Sequence, residues 1–329
     1  MALSFSITLE EHAVFPSLGS EGAFYDDTWK VFPQQKEALE DHSTGRLADM
    51  DEGHVSYQVL SHLPGLSNHN PQGTRKANDE MAWAIKENPT RFGGFAALPM
   101  AHPRIAAEEL ERTVKELGFL GAMIDNHLGD MTHYDNEIYW PVFEAAERLD
   151  VPIYIHPAPP PEFVQKGLYS GNYSSVMAQG LAAGAWGWHQ DVGLHILKLY
   201  SAGLFARFPR LKIIIGHMGE LLPIMIDRVD SVGFFGNSGL EPFRDVWDRN
   251  IWVTSSGIFS VRTLEMVFEI TKKERVMYSI DTPFSKSAEG LSYLRKLAEE
   301  SSLSKEELDM FAFGNAKKLL KLDLRLKEF

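Results

Sequence analysis

The sequence predicts an α/β fold built as a (β/α)8 barrel of the TIM type, and three observations predict it. Eight short runs rich in apolar and β-branched residues recur along 329 residues. Helical patterns separate most of them. Several of the runs end in a residue suited to metal or proton chemistry, at the strand ends where barrels of this kind carry their sites.

In chain order the strands are read at Phe5–His12, Val55–His62, Phe92–Leu98, Phe119–Ile124, Val151–His156, Leu211–His217, Ile251–Ser255 and Arg275–Asp281. The first alternates apolar and polar residues, then breaks into Glu10-Glu11-His12. With side chains alternating along a strand, Glu10 and His12 share a face and Glu11 takes the other. The fifth, sixth and eighth are nearly continuous apolar runs, as strands buried on both faces are. Helices are read at Arg75–Glu87, Pro103–Leu117 (proline is favourable at a helix start), Asn136–Arg148, Val192–Phe208, Leu222–Val232, Val261–Lys272 and Ala288–Glu299. Ser304–Phe311 and Asn315–Leu322 read as C-terminal helices, with Ser304 and Glu307 spaced as a capping box. No linker rich in Pro, Gly or Ser and no internal repeat interrupts the series, so residues 1–329 read as a single domain.

Two connections are long. Ala13–His54 follows the first strand, and Pro157–Gln190 follows the fifth and starts stiffly with Pro157, Pro159, Pro160 and Pro161. Loops after strand C-termini build the active face of such a barrel, so both are expected to shape a pocket and to contribute to a subunit contact.

Composition narrows the function classes. The apolar fraction of 44% suffices for a large core, and the net charge of −13 argues against a general nucleic-acid binder. The chain has no cysteine, which excludes disulfides, thiolate catalysis and Cys-type zinc sites. Metal ligands would therefore be histidine and carboxylate. No apolar run reaches membrane-spanning length, and the first residues lack a basic segment followed by an apolar one. The expectation is a soluble, cytosolic protein.

Four of the proposed strands end in Glu10 and His12, in His156, in His217 and in Asp281. Coordinated endings of this kind point to one shared site, with imidazole and carboxylate around a divalent metal. Zinc accepts that mixture, and manganese and magnesium suit an oxygen-rich set. His217 opens the stretch His217-Met218-Gly219-Glu220, in which Glu220 is spaced to fold back on the imidazole and fix its tautomer. His217 is thus a further ligand or, the reading preferred here, an acid/base beside the metal. His62 and His127 follow the second and fourth strands and are candidates to face the pocket. His189 and His195 flank a helix start and read as structural or pocket-wall groups. No P-loop, G-x-G-x-x-G or G-x-S-x-G is present.

These residues carry a resemblance. The motifs are Leu9–His12 (LEEH), Arg91–Pro99 (RFGGFAALP), Glu116–Ala122 (ELGFLGA), Val151–Pro157 (VPIYIHP), Ser201–Phe205 (SAGLF), Phe208–Lys212 (FPRLK), Gly216–Glu220 (GHMGE), Asp281–Phe284 (DTPF) and Asn315–Leu319 (NAKKL). In these motifs, and in their order from the first strand to the last helix, the chain resembles the amidohydrolase superfamily. Within it, the resemblance is to the metal-dependent nonoxidative decarboxylases of γ-resorcylate, 2,3-dihydroxybenzoate and salicylate. The resemblance implies one divalent metal per chain held by Glu10, His12, His156 and Asp281, with His217 and Glu220 as a dyad beside it. It also implies that Arg228, Phe24 and Phe284 line a pocket for a small aromatic carboxylic acid, and that the protein is a homodimer or homotetramer. Independently, the Arg228 guanidinium suits pairing with a carboxylate. Two departures touch the pocket: Ile258 stands where relatives commonly have Asn, and no aromatic residue precedes Arg228. Glu10 stands where many hydrolytic relatives have histidine, which by resemblance tilts the expectation toward decarboxylation.

The expected reaction is loss of carbon dioxide from an ortho-hydroxybenzoate-like acid, with Asp281 as proton donor and His217–Glu220 tuning phenol ionisation. The rival is a metal-dependent hydrolase of an amide, ester or lactone using the same groups. A barrel that binds a ligand without catalysis is the third reading.

Overall fold

The computed structural model describes residues 5–21, 23–236, 239–323 and 325–329. Eight parallel strands follow one another around the sheet in chain order: β1 Ile7–Ala13, β2 Tyr57–His62, β3 Phe92–Ala96, β4 Gly121–Asp125, β5 Pro152–His156, β6 Lys212–Ile215, β7 Ile251–Thr254 and β8 Val276–Met277. Helices lie between them, as a (β/α)8 barrel requires. No helix among the described residues is long and apolar enough to cross a membrane.

Inside the barrel, Ile7, Leu9, Val59, Phe95, Met123, Tyr154, Ile214 and Met277 form one buried cluster. Each comes from a different strand or from alternate positions of one strand, as inward-facing residues should. Burying such a side chain contributes roughly 1.5–3 kcal/mol. The same cluster takes in Ala316, Leu319, Leu320 and Leu322, so the C-terminal segment packs onto these residues of the barrel interior. A second, larger cluster lies between strands and helices, with Leu60, Ile124, Ile213, Ile215 and Val253 facing Leu110, Phe143, Ile196 and Leu264.

β1 contains a bulge that the sequence pattern does not announce. Its register against β2 runs Thr8↔Gln58 and then Glu11↔Leu60, so Leu9 and Glu10 together oppose Val59. An extra residue reverses the alternation of side chains. Leu9 points into the barrel, and so does Glu10 after it. Without the bulge, Glu10 and His12 would face away from the interior that Ile7 and Leu9 fill. The bulge is held from the far end of the sheet, since Ser279 Oγ accepts the backbone N–H of Leu9 at 3.0 Å and of Glu10 at 2.7 Å.

β8 is only two residues long, and barrel closure passes to the segment beyond it. His12 N donates to the Thr282 carbonyl at 2.8 Å, and Asp281 N donates to the Glu10 carbonyl at 3.1 Å. Glu11, turned away from the interior, accepts from Ser279 Oγ, Ile280 N and Thr282 N. Burial pushes Glu11 up to about 7 despite these donors.

The two long connections are present and carry helices of their own. Ala23–Val31, Pro33–Glu40 and Thr44–Glu52 fill the first, and Ser175–Ala182 lies in the second. The expected helix Val192–Phe208 begins earlier and breaks, giving Gly187–Ser201 and Leu204–Arg207, because Gly203 adopts a left-handed φ of 82° between them. Phe243–Asn250, which was not expected, is also helical.

Candidate active site

Four side chains from three parts of the barrel converge. Glu10 and His12 come from the bulged end of β1, His156 is the last residue of β5, and Asp281 lies four residues beyond β8. One donor atom from each lies within 4.8 Å of all the others. His156 Nε2 is 3.1 Å from Glu10 Oε1, and His12 Nε2 is 3.3 Å from Asp281 Oδ1. Glu10, His12 and His156 are buried, and Asp281 is partly so.

Hydrogen bonding aims each group inward. His156 Nδ1 donates to the Pro157 carbonyl at 2.7 Å, which leaves Nε2 with its lone pair toward the cluster. Ser61 Oγ stands 3.4 Å behind His12 Nδ1. Arg46 Nη2 donates to the His12 carbonyl at 2.5 Å and anchors the end of β1. Glu10 Oε2 accepts from Ser256 Oγ at 2.6 Å and from the Tyr154 hydroxyl. Thr254 Oγ1 completes that group, 2.6 Å from Tyr154 Oη and 2.7 Å from Ser256 Oγ. With Oε2 saturated, Glu10 presents Oε1 to the imidazoles.

The inward atoms are another matter. Glu10 Oε1, His12 Nε2 and Asp281 Oδ1 are buried with no hydrogen-bond partner among the described residues. A buried polar atom left unpaired costs about 1–3 kcal/mol. Three unpartnered atoms of ligating type that face one another make an arrangement that a cation satisfies. The residues present therefore fit one divalent ion.

Electrostatics agree. Burial works against the Glu10 carboxylate, but the His217, His156 and His12 rings outweigh it and hold it well below the usual range. Burial lowers His12 to about 4, so the ring is neutral and able to ligate. Burial, reinforced by the Glu10 charge, raises Asp281 to about 7.

Beside this cluster, His217 and Glu220 form the expected dyad. The segment after β6 turns sharply, with left-handed backbone at His217, Met218, Glu220 and Leu221. Non-glycine residues held there store about 1–3 kcal/mol each and gather at functional sites. His217 Nδ1 donates to Glu220 Oε1 at 2.7 Å, and Nε2 lies 3.4 Å from Glu10 Oε1 and 4.0 Å from Asp281 Oδ2. Burial lowers His217, but the Glu220, Glu10 and Asp281 carboxylates prevail and hold it up at about 10. Burial raises Glu220, and His217 and His189 bring it down to about 2.

The expected pocket residues divide. Phe284 stands with its ring 5.7 Å from that of His12. Phe24 packs on Tyr25 and on Trp188, and Trp188 lies 6.5 Å from the His156 ring. Phe24 also lines a cavity of about 210 Å³ with Leu66, His127, Ala158 and Pro159. Arg228 is exposed on the short helix Ile226–Ser231 and joins no ion pair among the described residues. His127 thus faces a cavity, whereas His62 is structural: its Nε2 accepts from Phe15 N and its Nδ1 donates to Leu63 O. His195 is buried and accepts from Tyr134 N. His189, read as structural or pocket wall, instead reaches Glu220 Oε2 at 2.7 Å. Tyr154, Thr254 and Ser256 have no chemical role legible in the sequence beyond a hydroxyl on or just after a strand.

Known proteins place this geometry in context. The chain is 42% identical over 331 residues to decarboxylase orsB of Emericella nidulans, across 98% of both chains. It is 36% identical to a γ-resorcylate decarboxylase of Polaromonas sp., over 96% of this chain and 98% of that one. A solved structure of a dihydroxybenzoic acid decarboxylase from Polaromonas sp., with bound manganese and the inhibitor 2-nitroresorcinol, matches with a TM-score of 0.86. Its identity is 31%, across 98% of both chains. The profile of the family described as amidohydrolase matches residues 12–322. By that span and these likenesses, the chain belongs to the amidohydrolase family, on its decarboxylase branch.

Proposed function

We propose that this chain is a metal-dependent nonoxidative decarboxylase that converts an ortho-hydroxybenzoate-like acid to a phenol and carbon dioxide. The observation that carries this reading is the meeting of Glu10 Oε1, His12 Nε2 and Asp281 Oδ1, three buried atoms with no hydrogen-bond partner among the described residues.

Glu10, His12, His156 and Asp281 would hold one divalent ion per chain, with zinc, manganese and magnesium all compatible with the donors. When bound, the ion would supply Lewis-acid stabilisation of charge on the substrate's carboxylate and phenolic oxygens. The manganese in the Polaromonas structure supports manganese as the first ion to test.

Asp281 is assigned as the proton donor to the ring carbon that bears the carboxylate. Transfer forms the C–H bond. Cleavage of the bond to the carboxylate then releases carbon dioxide, and its electron pair restores the aromatic ring. Asp281, now ionised, regains a proton from solvent before the next cycle. His217, held by Glu220, is assigned to the phenolic proton. Phe24 and Phe284 are assigned to the walls around the ring, which fix its orientation. The family resemblance, not a contact of its exposed side chain, supports assigning Arg228 to pairing with the substrate's negative charge. The likeness to hydroxybenzoate decarboxylases supports this reaction over hydrolysis.

A cytosolic homodimer or homotetramer completes the reading. The exposed apolar side chains Val176, Met177, Ile224 and Met225 support association, and light scattering tests it.

The deciding experiment is metal analysis of the purified protein followed by a carbon dioxide release screen across hydroxybenzoates. Stoichiometric divalent metal and metal-dependent release of carbon dioxide are expected. Hydrolysis of an amide, ester or lactone without such release would overturn the reading.

A further inference from the structure

Glu220 holds an imidazole on each of its carboxylate oxygens. Oε1 accepts from His217 Nδ1 and Oε2 from His189 Nδ1, both at 2.7 Å. The other nitrogen of His189, Nε2, lies 2.8 Å from the Gly184 carbonyl. Both ring nitrogens of His189 thus face oxygens that only accept.

Helix Gly187–Ser201 is built to bring His189 to this place. Gly193 lies one turn after His189 and therefore on the same face. A Cβ at Gly193 would stand 2.8 Å from the Glu220 carbonyl oxygen. The missing side chain lets the helix rest against the backbone of the turn while His189 covers the carboxylate. The two imidazole centroids are 4.7 Å apart.

His189, His217 and Glu220 also have donor atoms close enough to hold a cation. Their hydrogen bonds argue otherwise. Both Glu220 oxygens already accept an N–H, unlike the unpartnered atoms of the Glu10 cluster.

We propose that His189 is a positioning residue for the dyad. Glu220 is buried, so without His189 its Oε2 would lack a donor and the carboxylate would rotate to find one. That rotation would release His217 Nδ1 and swing Nε2 away from Glu10 and Asp281. His189 prevents it by pinning the carboxylate from the opposite side, and Gly184 pins His189. The role in turnover rests on the decarboxylase reading; the role in geometry does not.

The test compares wild type, His189→Ala, His189→Asn, Glu220→Gln and the His189→Ala/Glu220→Gln double variant. Metal content, kcat and KM are measured for each. The His217 ring N–H is followed by NMR on protein labelled with nitrogen-15 histidine. His189→Ala is expected to keep its metal and KM, to lose about 10–100-fold in kcat, and to lose the protected His217 N–H signal. Asn places an amide N–H near the former Nδ1 and is expected to restore both. In the Glu220→Gln background His189→Ala is expected to add little. Wild-type kcat and an intact N–H signal in His189→Ala would overturn the proposal, as would losses that multiply in the double variant. If wild type releases no carbon dioxide from any hydroxybenzoate, the decarboxylase reading fails. The N–H signals of His189→Ala and His189→Asn then decide the positioning role alone.

Discussion

His12 Nε2 stands 3.3 Å from Asp281 Oδ1, with the two residues arriving from opposite ends of the chain. The contact exists because the barrel closes beyond β8, through His12 N to Thr282 O and Asp281 N to Glu10 O. Closure and site are therefore one construction. Burial leaves the imidazole neutral, at about 4, and raises the carboxyl to about 7. Neither inward atom has a hydrogen-bond partner among the described residues.

That pairing predicts how metal affinity depends on pH. Below about 7 the metal-free Asp281 is protonated, and an incoming ion must displace that proton. Affinity is expected to rise about tenfold per pH unit up to about 7 and then to level off. Competition titrations with a chelating dye between pH 5.5 and 8 measure the slope. An affinity that is flat across this range would remove Asp281 from the ligand set.

Asp281 is also the proposed proton donor to the ring carbon. Asp281→Asn keeps an oxygen for the cluster but removes the transferable proton. Turnover is expected to fall by about 10²–10⁴-fold, while substrate binding followed by fluorescence or calorimetry changes far less. Full metal content with unchanged turnover would overturn the donor assignment.

Much of this site is legible in the sequence because the residues sit at ends of runs that are plainly strands. Glu10, His12, His156 and His217 are all of that kind, and Asp281 follows an apolar run. What escapes is whatever depends on distant parts of the chain. The bulge at Leu9 and Glu10 is held by Ser279, and no local pattern in β1 reveals that both face inward. Tyr154, Thr254 and Ser256 look like ordinary strand residues until β5 and β7 are placed around Glu10. His189 looks like part of a helix start until Gly193 brings that helix against the turn after β6. The break at Gly203 had a local signal, a glycine followed by another apolar run, but the helical period continues through it.

The His217–Glu220 pair predicts a two-sided pH dependence of stability in the metal-free protein. Glu220 drops from an ordinary 4.5 to about 2, so its contribution is complete above 4.5 and is lost as pH falls through about 2. His217 rises from 6.5 to about 10, so its contribution is complete below 6.5 and is lost as pH rises through about 10. The stability difference between wild type and His217→Asn is expected to be greatest between pH 4.5 and 6.5 and to shrink on both sides. Thermal melts of chelator-treated protein from pH 3 to 10 check it, with shifts on the order of 2 °C per kcal/mol. A difference that grows steadily toward alkaline pH would contradict the pairing.

Gly216, between β6 and His217, gives the most selective handle on the cluster. A Cβ there would lie 2.6 Å from Glu10 Oε2, closer than real Cβ contacts come, and 3.0 Å from Tyr154 Oη, tighter than most of them. Its φ of −80° is open to alanine, so the conflict is with the Glu10 carboxylate and its hydroxyl donor rather than with the backbone. Gly216→Ala is expected to fold and to weaken metal binding by about 10–100-fold, the range for loss of a ligand's supporting contacts. Tyr154→Phe removes one of the two donors to Glu10 Oε2 but leaves Ser256, so its loss of affinity is expected to be smaller. Calorimetric titration of both variants with manganese gives the order directly. If Tyr154→Phe proved the worse of the two, the hydroxyl would be fixing more than the orientation of Glu10, and its proximity to Thr254 and Ser256 would be the place to look.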